Sequence, residues 1–237
     1  MMYKDTLVEW LKSSRRLVFS SKEASKQLGI AGPLLTSVLN SLEKRGTVSR
    51  IAKGIYYFSN APVHDVYAVA SKIVCPAYIA TESAFERYGI SDIIPKDIRV
   101  IATRQHRGIE FSGVAVKFIK FKKQNFFGYN ESRWISISTI EKAFVDSLYI
   151  GEFPFFSDIA NYYRKMVSFG RDLDYKRLVE YTLRMDSKVL PNKVGFFLDY
   201  VGRSDAASML LRRIYKKKAV RIDRSGASYK SKKWMIA

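Results

Sequence analysis

The stretch SSKEASKQLGIAGPLLTSVLNSLEKRGTVSRIAKGIYYF, residues 20–58, decides the fold of the N-terminal part of the chain. Ser20 stands three positions before Glu23, which is the spacing of a capping box at the start of a helix. Gly29 ends that helix, and Pro33 opens a second one, because the N–H that proline lacks would be unpaired there anyway. The stretch therefore predicts two consecutive helices joined by a short turn.

The second helix and the residues after it complete this pattern. Apolar residues recur at helical spacing and predict one buried stripe, formed by Leu34, Leu35, Val38, Leu39 and Leu42. Gly46 ends the helix, and the β-branched and aromatic segments Thr47–Ile51 and Ile55–Phe58 predict two strands around the turn Ala52-Lys53-Gly54. A first helix, Asp5–Ser14, is expected to brace these elements. This order of elements predicts a winged helix-turn-helix.

Polar side chains opposite the apolar stripe suit a DNA major groove, which is lined with hydrogen-bond donors and acceptors. Basic side chains at the predicted turn between the strands would reach phosphates. The candidate DNA-binding residues are Ser21, Lys22, Thr36, Ser37, Asn40, Ser41, Lys44, Arg50 and Lys53. The alternative is a small domain that packs against another protein, since winged helices also serve as interaction modules.

The charge of the chain favours a nucleic-acid partner. The formal net charge of the 237 residues is +19, and the excess is +6 over residues 1–60, +3 over 61–150 and +10 over 151–237. A basic excess of this size attracts polyanions, although charge also serves solubility. The hydrophobic share of 47% is ordinary for globular proteins, so each half of the chain has enough apolar side chains for a core.

The turn Ser59-Asn60-Ala61-Pro62 is the expected boundary between residues 1–60 and a second domain, residues 61–237. The following block predicts short helices and strands, with Phe144 in the core. They are the helices Val63–Ile73 and Thr81–Tyr88, the strand Ile98–Thr103, the hairpin Gly108–Phe111 with Val114–Phe121, the strand Trp134–Ile137, and a helix capped by Ser138. The fold class is therefore predicted to be α+β, a winged helix-turn-helix followed by a mixed α/β domain.

The last part of the chain is predicted to be helical and to close with a β-hairpin. The expected helices are Phe156–Val167, Tyr175–Met185, Lys193–Val201 and Ser204–Lys218. Basic residues would form one stripe on the last helix, at Arg212, Arg213, Lys216 and Lys217. This stripe is either a surface for DNA or an acidic partner, or a solvated face that complements the helix dipole. Ala219–Asp223 and Lys233–Ile236 would pair as the hairpin.

The sequence lacks the motifs of disulfide-stabilised, zinc-binding, nucleotide-hydrolysing and serine-hydrolase proteins. The single cysteine, Cys75, allows no intramolecular disulfide, and it is expected to be packed in a reducing, cytoplasmic setting. His64 and His106 stand in no metal-ligand spacing, and neither a P-loop nor a nucleophile elbow occurs. We therefore expect no metal, no cofactor, no membrane span and no catalytic activity. The sequence predicts no oligomeric state.

Several motifs resemble those of the AbiEi antitoxins, the regulators of type IV (abortive infection) toxin–antitoxin pairs. The matching segments extend over nearly the whole chain. They are 52–56 (AKGIY), 77–90, 98–101 (IRVI), 137–146 (ISTIEKAFVD), 193–199 (KVGFFLD) and the closing region with Trp234. The family usually has Arg where Lys142 stands, and Leu is common where Phe144 stands.

The resemblance implies a repressor whose winged helix binds operator repeats in double-stranded DNA. It also implies a C-terminal antitoxin domain that counteracts a nucleotidyltransferase-like toxin. A stand-alone regulator without such a toxin is the alternative within the same family. Two other functions stay open from the residues themselves. One is a nucleic-acid-processing enzyme such as a nuclease, and the other is a non-specific, chromatin-like DNA binder.

Overall fold

The computed structural model describes residues 2–61, 65–92, 94, 96–132 and 134–237, and it is a mixed α+β structure. The chain forms two compact units that are not contiguous in sequence. Unit 1 comprises Met1–Tyr78, Lys96–Lys120 and Glu131–Ser136, and unit 2 comprises Ile79–Pro95, Phe121–Asn130 and Ile137–Ala237. The functional boundary expected after Asn60 stays a prediction, and Pro62 lies outside the described residues.

The helices are α1 (Met2–Ser14), α2 (Ser21–Leu28), α3 (Gly32–Lys44), α4 (Val66–Ile73), α5 (Thr81–Arg87), α6 (Ile140–Ile150), α7 (Phe156–Ser168), α8 (Tyr175–Arg184), α9 (Leu190–Tyr200) and α10 (Ser204–Ser208). Short 3-10 turns occupy Lys123–Asn125 and Leu211–Arg213. The strands are β1 (Val18–Ser20), β2 (Val48–Ala52), β3 (Ile55–Phe58), β4 (Ala77–Ile79), β5 (Asp97–Ala102), β6 (Ile109–Phe111), β7 (Val114–Lys120), β8 (Tyr129–Glu131) and β9 (Ser136–Ser138). Of the predicted helix Val63–Ile73, Val63 and His64 lie outside the described residues.

The start of α2 confirms the predicted capping box. The Glu23 main-chain N–H donates to Ser20 Oγ at 3.2 Å, and the Ser20 N–H donates to Glu23 Oε2 at 2.8 Å. Gly29 ends the helix at a φ of +66°, in the left-handed region that glycine enters without steric cost. Pro33 lies in the first turn of α3, as expected.

A three-stranded antiparallel sheet in the order β1-β3-β2 accompanies these helices in unit 1. Val18 pairs with Tyr57, and Val48 pairs with Phe58 on the other side of β3. The β2–β3 hairpin was predicted, whereas β1 was not. Three residues are too few to show the alternation of apolar and polar side chains that identifies a strand.

Four of the five residues of the predicted α3 stripe are buried. Leu35, Val38, Leu39 and Leu42 lie in the core of unit 1, together with Leu7 and Leu11 of α1. Leu34 is the exception, because it lies at the edge of the stripe in the first turn of α3 and is 49% exposed. The buried face of α3 therefore begins one residue later than the sequence predicted, at Leu35.

Unit 1 also contains the sheet segment β6-β7-β5. The predicted β6–β7 hairpin is confirmed, with Phe111 opposite Val114. β5 runs parallel to β7 along its whole length, from Asp97 opposite Ala115 to Ala102 opposite Lys120. The Lys117 ammonium lies 2.6 Å from the Asp97 carboxylate across these two strands.

Unit 2 is built around aromatic side chains carried by helices. Phe85 of α5, Phe144 of α6 and Phe197 of α9 are fully buried and lie ring against ring, which confirms the predicted burial of Phe144. Ile79 of β4 pairs in parallel with Ile137 of β9 beside them. A Cβ atom on Gly195 would lie 2.1 Å from the Trp234 ring, so only glycine lets this indole pack against α9.

The cap of α6 differs from the prediction by one residue. Thr139 is the N-cap, and its side chain accepts a hydrogen bond from the Lys142 main-chain N–H at 3.3 Å. Ser138 is instead the last residue of β9 and is fully buried. The strand continues one residue further than its pattern indicated, and this moves the helix start to the next hydroxyl residue.

A buried ion pair lies one turn further along α6. Lys142 and Asp146 are four residues apart and both side chains are 0% exposed. The Lys142 ammonium lies 4.7 Å from the centre of the Phe127 ring and 5.2 Å from that of Phe121. Burial lowers the pKa of Lys142 from its ordinary value, and the charge of Asp146 acts in the opposite direction.

The predicted helix Ser204–Lys218 is wrong. α10 ends at Ser208, a 3-10 turn occupies Leu211–Arg213, and Ile214 is extended with φ −65° and ψ 130°. The Asn192 side chain holds the main chain of Tyr215 by accepting from its N–H at 2.9 Å and donating to its carbonyl at 3.1 Å. A main chain held in this way does not continue the helix.

The predicted closing β-hairpin is also wrong. Val220 and Ile236 form an isolated parallel bridge, and Ser231 forms a second, antiparallel bridge with Ile236. The segment is fixed mainly by side chains, because Trp234 Nε1 donates to Asp199 Oδ2 at 2.6 Å and Asn192 Nδ2 donates to the Trp234 carbonyl at 2.8 Å. The C-terminal segment is therefore held by the buried Trp234 indole and not by the main-chain hydrogen bonds of a β-hairpin.

Candidate nucleic-acid interface

The outward face of α3 carries the polar side chains that the sequence singled out. Thr36, Ser37, Asn40 and Lys44 are exposed, and Ser41 is half-buried. With Gly32 and Pro33, these five residues line an open groove of about 670 Å³. The buried leucine face on the opposite side of α3 holds the helix against unit 1 and turns these side chains toward solvent.

Hydrogen bonding decides which of these groups are available to a ligand. Thr36 Oγ1 donates to the Gly32 carbonyl at 3.1 Å, so its proton is engaged within the helix and its lone pairs can accept. Among the described residues, the side chains of Ser37, Asn40 and Lys44 have no hydrogen-bond or ion-pair partner. The Asn40 amide therefore presents both a donor and an acceptor to the groove.

The turn between β2 and β3 is anchored to the start of α2. The Ser21 main-chain N–H donates to the Gly54 carbonyl at 2.8 Å, and a Cβ on Gly54 would lie 3.0 Å from Ser21 Oγ. Gly54 has a φ of +71°, which suits the tight two-residue turn formed by Lys53 and Gly54. Lys53 at this turn and Lys22 in the first turn of α2 are both exposed.

Arg50 lies on β2, where the pairing with β3 is irregular between Arg50 and Ala52. Its side chain is exposed, and its main-chain N–H donates weakly to Glu43 Oε1 at 3.4 Å. This contact turns the carboxylate of Glu43 toward β2, and Glu43 does not line the α3 groove. Negative charge is thereby kept away from the polar face of α3.

The four C-terminal cations do not form the predicted stripe. Arg212 and Arg213 lie in the 3-10 turn, and Lys216 and Lys217 lie in irregular chain. All four are exposed, but because the helix ends at Ser208 they share no helix face.

A second basic surface was not predicted. It is a cleft of about 740 Å³ within unit 1, lined by residues from 14–23, Ile55, 72–75 and 104–106. Cys75 lies at this cleft and is exposed, which corrects the expectation that it is packed. No sequence pattern joins these distant segments, and the sequence carries no signal for the cleft beyond the basic residues within them.

Two further observations concern the whole described chain. Within residues 2–61, 65–92, 94, 96–132 and 134–237, no group of three or more His, Cys, Asp or Glu side chains has the arrangement of a metal site. None of the helices in these same ranges combines the length and the apolar character needed to cross a bilayer.

Comparison with known proteins adds evidence about the fold. No family model matches the chain, and no curated protein matches it. The structure is similar to the crystal structure of the RV2827C protein from Mycobacterium tuberculosis, with a TM-score of 0.62. The match covers 100% of this chain and 91% of that chain at 17% sequence identity. At this identity the likeness shows a shared α+β fold and nothing about function.

Proposed function

We propose that this protein binds double-stranded DNA sequence-specifically and represses transcription, and that residues 1–60 act as a winged helix-turn-helix. In this proposal α2 and α3 are the helix-turn-helix, and β2 with β3 is the wing. The observation that carries it is the exposed polar face of α3, whose free amide and hydroxyl groups lie opposite a buried leucine face.

The proposed roles follow from chemistry. A helix fits the major groove of B-DNA, where every base pair presents a distinct pattern of donors and acceptors. Asn40 carries the side chain best suited to read it, because its free amide can donate to adenine N7 and accept from the adenine N6 amino group at the same time. Ser37 and Thr36 would add single hydrogen bonds.

Phosphate contacts would come from exposed cations of the proposed helix-turn-helix and wing. Lys44 lies at the end of α3, Lys22 in the first turn of α2, and Lys53 at the anchored turn between β2 and β3. Such contacts set the register of a protein on the duplex and give binding its salt dependence. The net charge of +19 supports the same partner.

The test is a selection of bound duplexes from a random-sequence DNA pool with the full-length protein, followed by anisotropy titrations at fixed salt. We expect an enriched sequence to bind about 1,000-fold or more tightly than a scrambled duplex. Equal affinity for both duplexes would replace the proposal with the non-specific binder, and no binding to either would overturn it. Nicking of plasmid in Mg²⁺ would favour the nuclease alternative.

The resemblance to AbiEi antitoxins adds a separate proposal, which is that residues 61–237 counteract a nucleotidyltransferase-like toxin. Co-expression of such a toxin from the neighbouring gene with the full chain, and then with residues 61–237, tests it. Rescue of growth by both supports the antitoxin proposal and the division at residue 60. Growth arrest in the presence of well-expressed full-length protein would overturn the antitoxin proposal and leave DNA-binding regulation as the proposed function.

A further inference from the structure

The basic cleft of unit 1 is a second concave surface, separate from the groove along α3. Its cationic lining residues are Arg15, Arg16, Lys22, Lys72 and Arg104, and the ring of His106 also lines it. Among the described residues that line this cleft, Glu23 is the one carboxylate. Converging charges of one sign in a concave site focus the electrostatic field and attract an anion.

Internal partners leave part of this charge free. Among the described residues, the side chains of Arg15 and Lys22 make no hydrogen bond or ion pair. Arg104 donates one hydrogen bond, from Nη2 to the Cys75 carbonyl at 2.8 Å, and this fixes the guanidinium while its other donors stay available.

The remaining cations are engaged. Arg16 is paired with Glu23 at 2.5 Å, and Lys72 lies 3.3 Å from Glu131 and 3.1 Å from Ser136 Oγ. Free charge in the cleft therefore comes mainly from Arg15, Lys22 and Arg104.

The backbone at Arg15 is unusual for an arginine. It has a φ of +50° directly after α1, a position where glycine is the preferred residue. The Arg15 N–H donates to the Lys12 carbonyl at 3.1 Å, and the Arg16 N–H donates to the Leu11 carbonyl at 3.2 Å, which together close the end of the helix. A glycine would make this turn with less strain, but it would remove a free cation from the rim of the cleft.

Apolar side chains also line the cleft. Leu17, Phe19 and Val74 belong to the core of unit 1 and are at most 5% exposed, whereas Ile55 is half-buried and offers apolar surface to a ligand. A volume of about 740 Å³ falls within the ~300–1,000 Å³ of sites for small organic ligands. Cations beside an accessible apolar side chain suit a ligand that is charged at one end and organic at the other.

From these observations we infer that the cleft is a binding site for a free phosphate-bearing small molecule of nucleotide size. The phosphates would lie among Arg15, Lys22 and Arg104, since guanidinium and ammonium groups form charge-assisted hydrogen bonds with phosphate oxygens. The organic part would lie against Ile55. A DNA phosphodiester is the other possible source of the same chemistry, and the experiment separates the two.

The experiment is calorimetric titration of the full-length protein with two probes, ATP and inorganic pyrophosphate in Mg²⁺-free buffer, and with a 20-base-pair duplex. Arg15→Gly and Arg104→Gln each remove one available cation. Each is expected to weaken ATP binding about tenfold or more, which corresponds to the loss of a hydrogen bond to a charged group. Lys26→Gln is the matched control, because Lys26 is an exposed cation of α2 that does not line the cleft.

A folding readout keeps the test decisive. Arg15→Gly is expected to melt at the same temperature as the wild type or higher, so weaker binding in this variant reports on the cation and not on damage to the fold. The inference is overturned if neither probe binds, or if Lys26→Gln weakens binding as much as the cleft variants. It is equally overturned if the cleft variants weaken only duplex binding, which would assign the cleft to the DNA backbone.

Discussion

Asn192 holds Tyr215 by both of its main-chain polar groups, with Oδ1 accepting at 2.9 Å and Nδ2 donating at 3.1 Å. The same amide nitrogen donates to the Trp234 carbonyl at 2.8 Å. One fully buried side chain of α9 thus fixes two segments of the C-terminal region that have little secondary structure of their own.

Replacing this side chain tests how much the region depends on it. Asn192→Ala leaves buried main-chain groups without partners, each of which costs about 1–3 kcal/mol. We expect the free energy of unfolding in urea to fall by at least ~2 kcal/mol. Asn161→Ala is the control, since Asn161 is exposed and its side chain accepts a hydrogen bond from Arg164 on the same helix. Equal effects of the two variants would contradict the role of Asn192.

The buried pair in α6 predicts a strongly non-additive double-mutant cycle. Lys142→Met removes the cation beside Asp146 in the core, and Asp146→Leu removes the anion beside Lys142. Each single variant is expected to lose about 3–5 kcal/mol of unfolding free energy, because removing one partner of a buried ion pair is costly. The double variant is expected to lose far less than either, as measured by denaturant unfolding. Losses that simply add would show that the two charges do not stabilise each other.

The lowered pKa of Glu23 leads us to expect that the folded protein loses stability in acid. Burial by itself would raise its pKa, but hydrogen bonds from Ser20 and the charge of Arg16 outweigh this, and the folded pKa lies below the ordinary 4.5. The stabilisation is therefore fully present above pH 4.5 and is lost as the pH falls through the folded pKa.

The measurement is the melting temperature of the wild type and of Glu23→Gln across this range. Glutamine can keep the hydrogen bond to Ser20 but has no charge to titrate. We expect the wild type to melt higher above pH 4.5 and the gap to close at lower pH. A gap that stays constant with pH would assign the effect to something other than the carboxylate charge.

We expect replacement of Lys53 to change the salt dependence of DNA binding. A lysine that contacts one phosphate releases about one counterion, so Lys53→Ala should reduce the slope of log K against log salt by about 1. The loss should be similar on operator and random duplexes, because phosphates carry no sequence information. The control is Lys12→Ala, an exposed cation in the last turn of α1. An unchanged slope for Lys53→Ala would remove Lys53 from the interface.

We expect replacement of Asn40 to reduce the sequence specificity of DNA binding. If its amide reads a base, Asn40→Ala should cost about 1–3 kcal/mol on the selected duplex and much less on a scrambled one. Ser37→Ala, which removes one hydroxyl from the same exposed face, is the comparison variant and should have the smaller effect. Equal losses on the two duplexes would mean that Asn40 does not read bases.

Local signals in the sequence were sufficient for the N-terminal helices and hairpins. The spacing of Ser20 and Glu23 predicts the start of α2, because a capping box joins two residues only three positions apart. The positions of Leu35, Val38, Leu39 and Leu42 predict which face of α3 is buried. The β6–β7 hairpin around Ser112-Gly113 was predicted for the same reason. These features depend on residues that are neighbours along the chain.

Only the tertiary structure decided the features that depend on residues far apart in sequence. The pattern of residues 204–218 is helical, yet Asn192 captures the main chain of Tyr215, and a buried indole takes the place of the expected hairpin. The basic cleft joins segments near residues 15, 72 and 104, and nothing in their spacing connects them. Side-chain hydrogen bonds and packing between distant segments outweigh local helix and strand propensity here. Because these contacts join residues that are far apart in sequence, no local pattern predicts them.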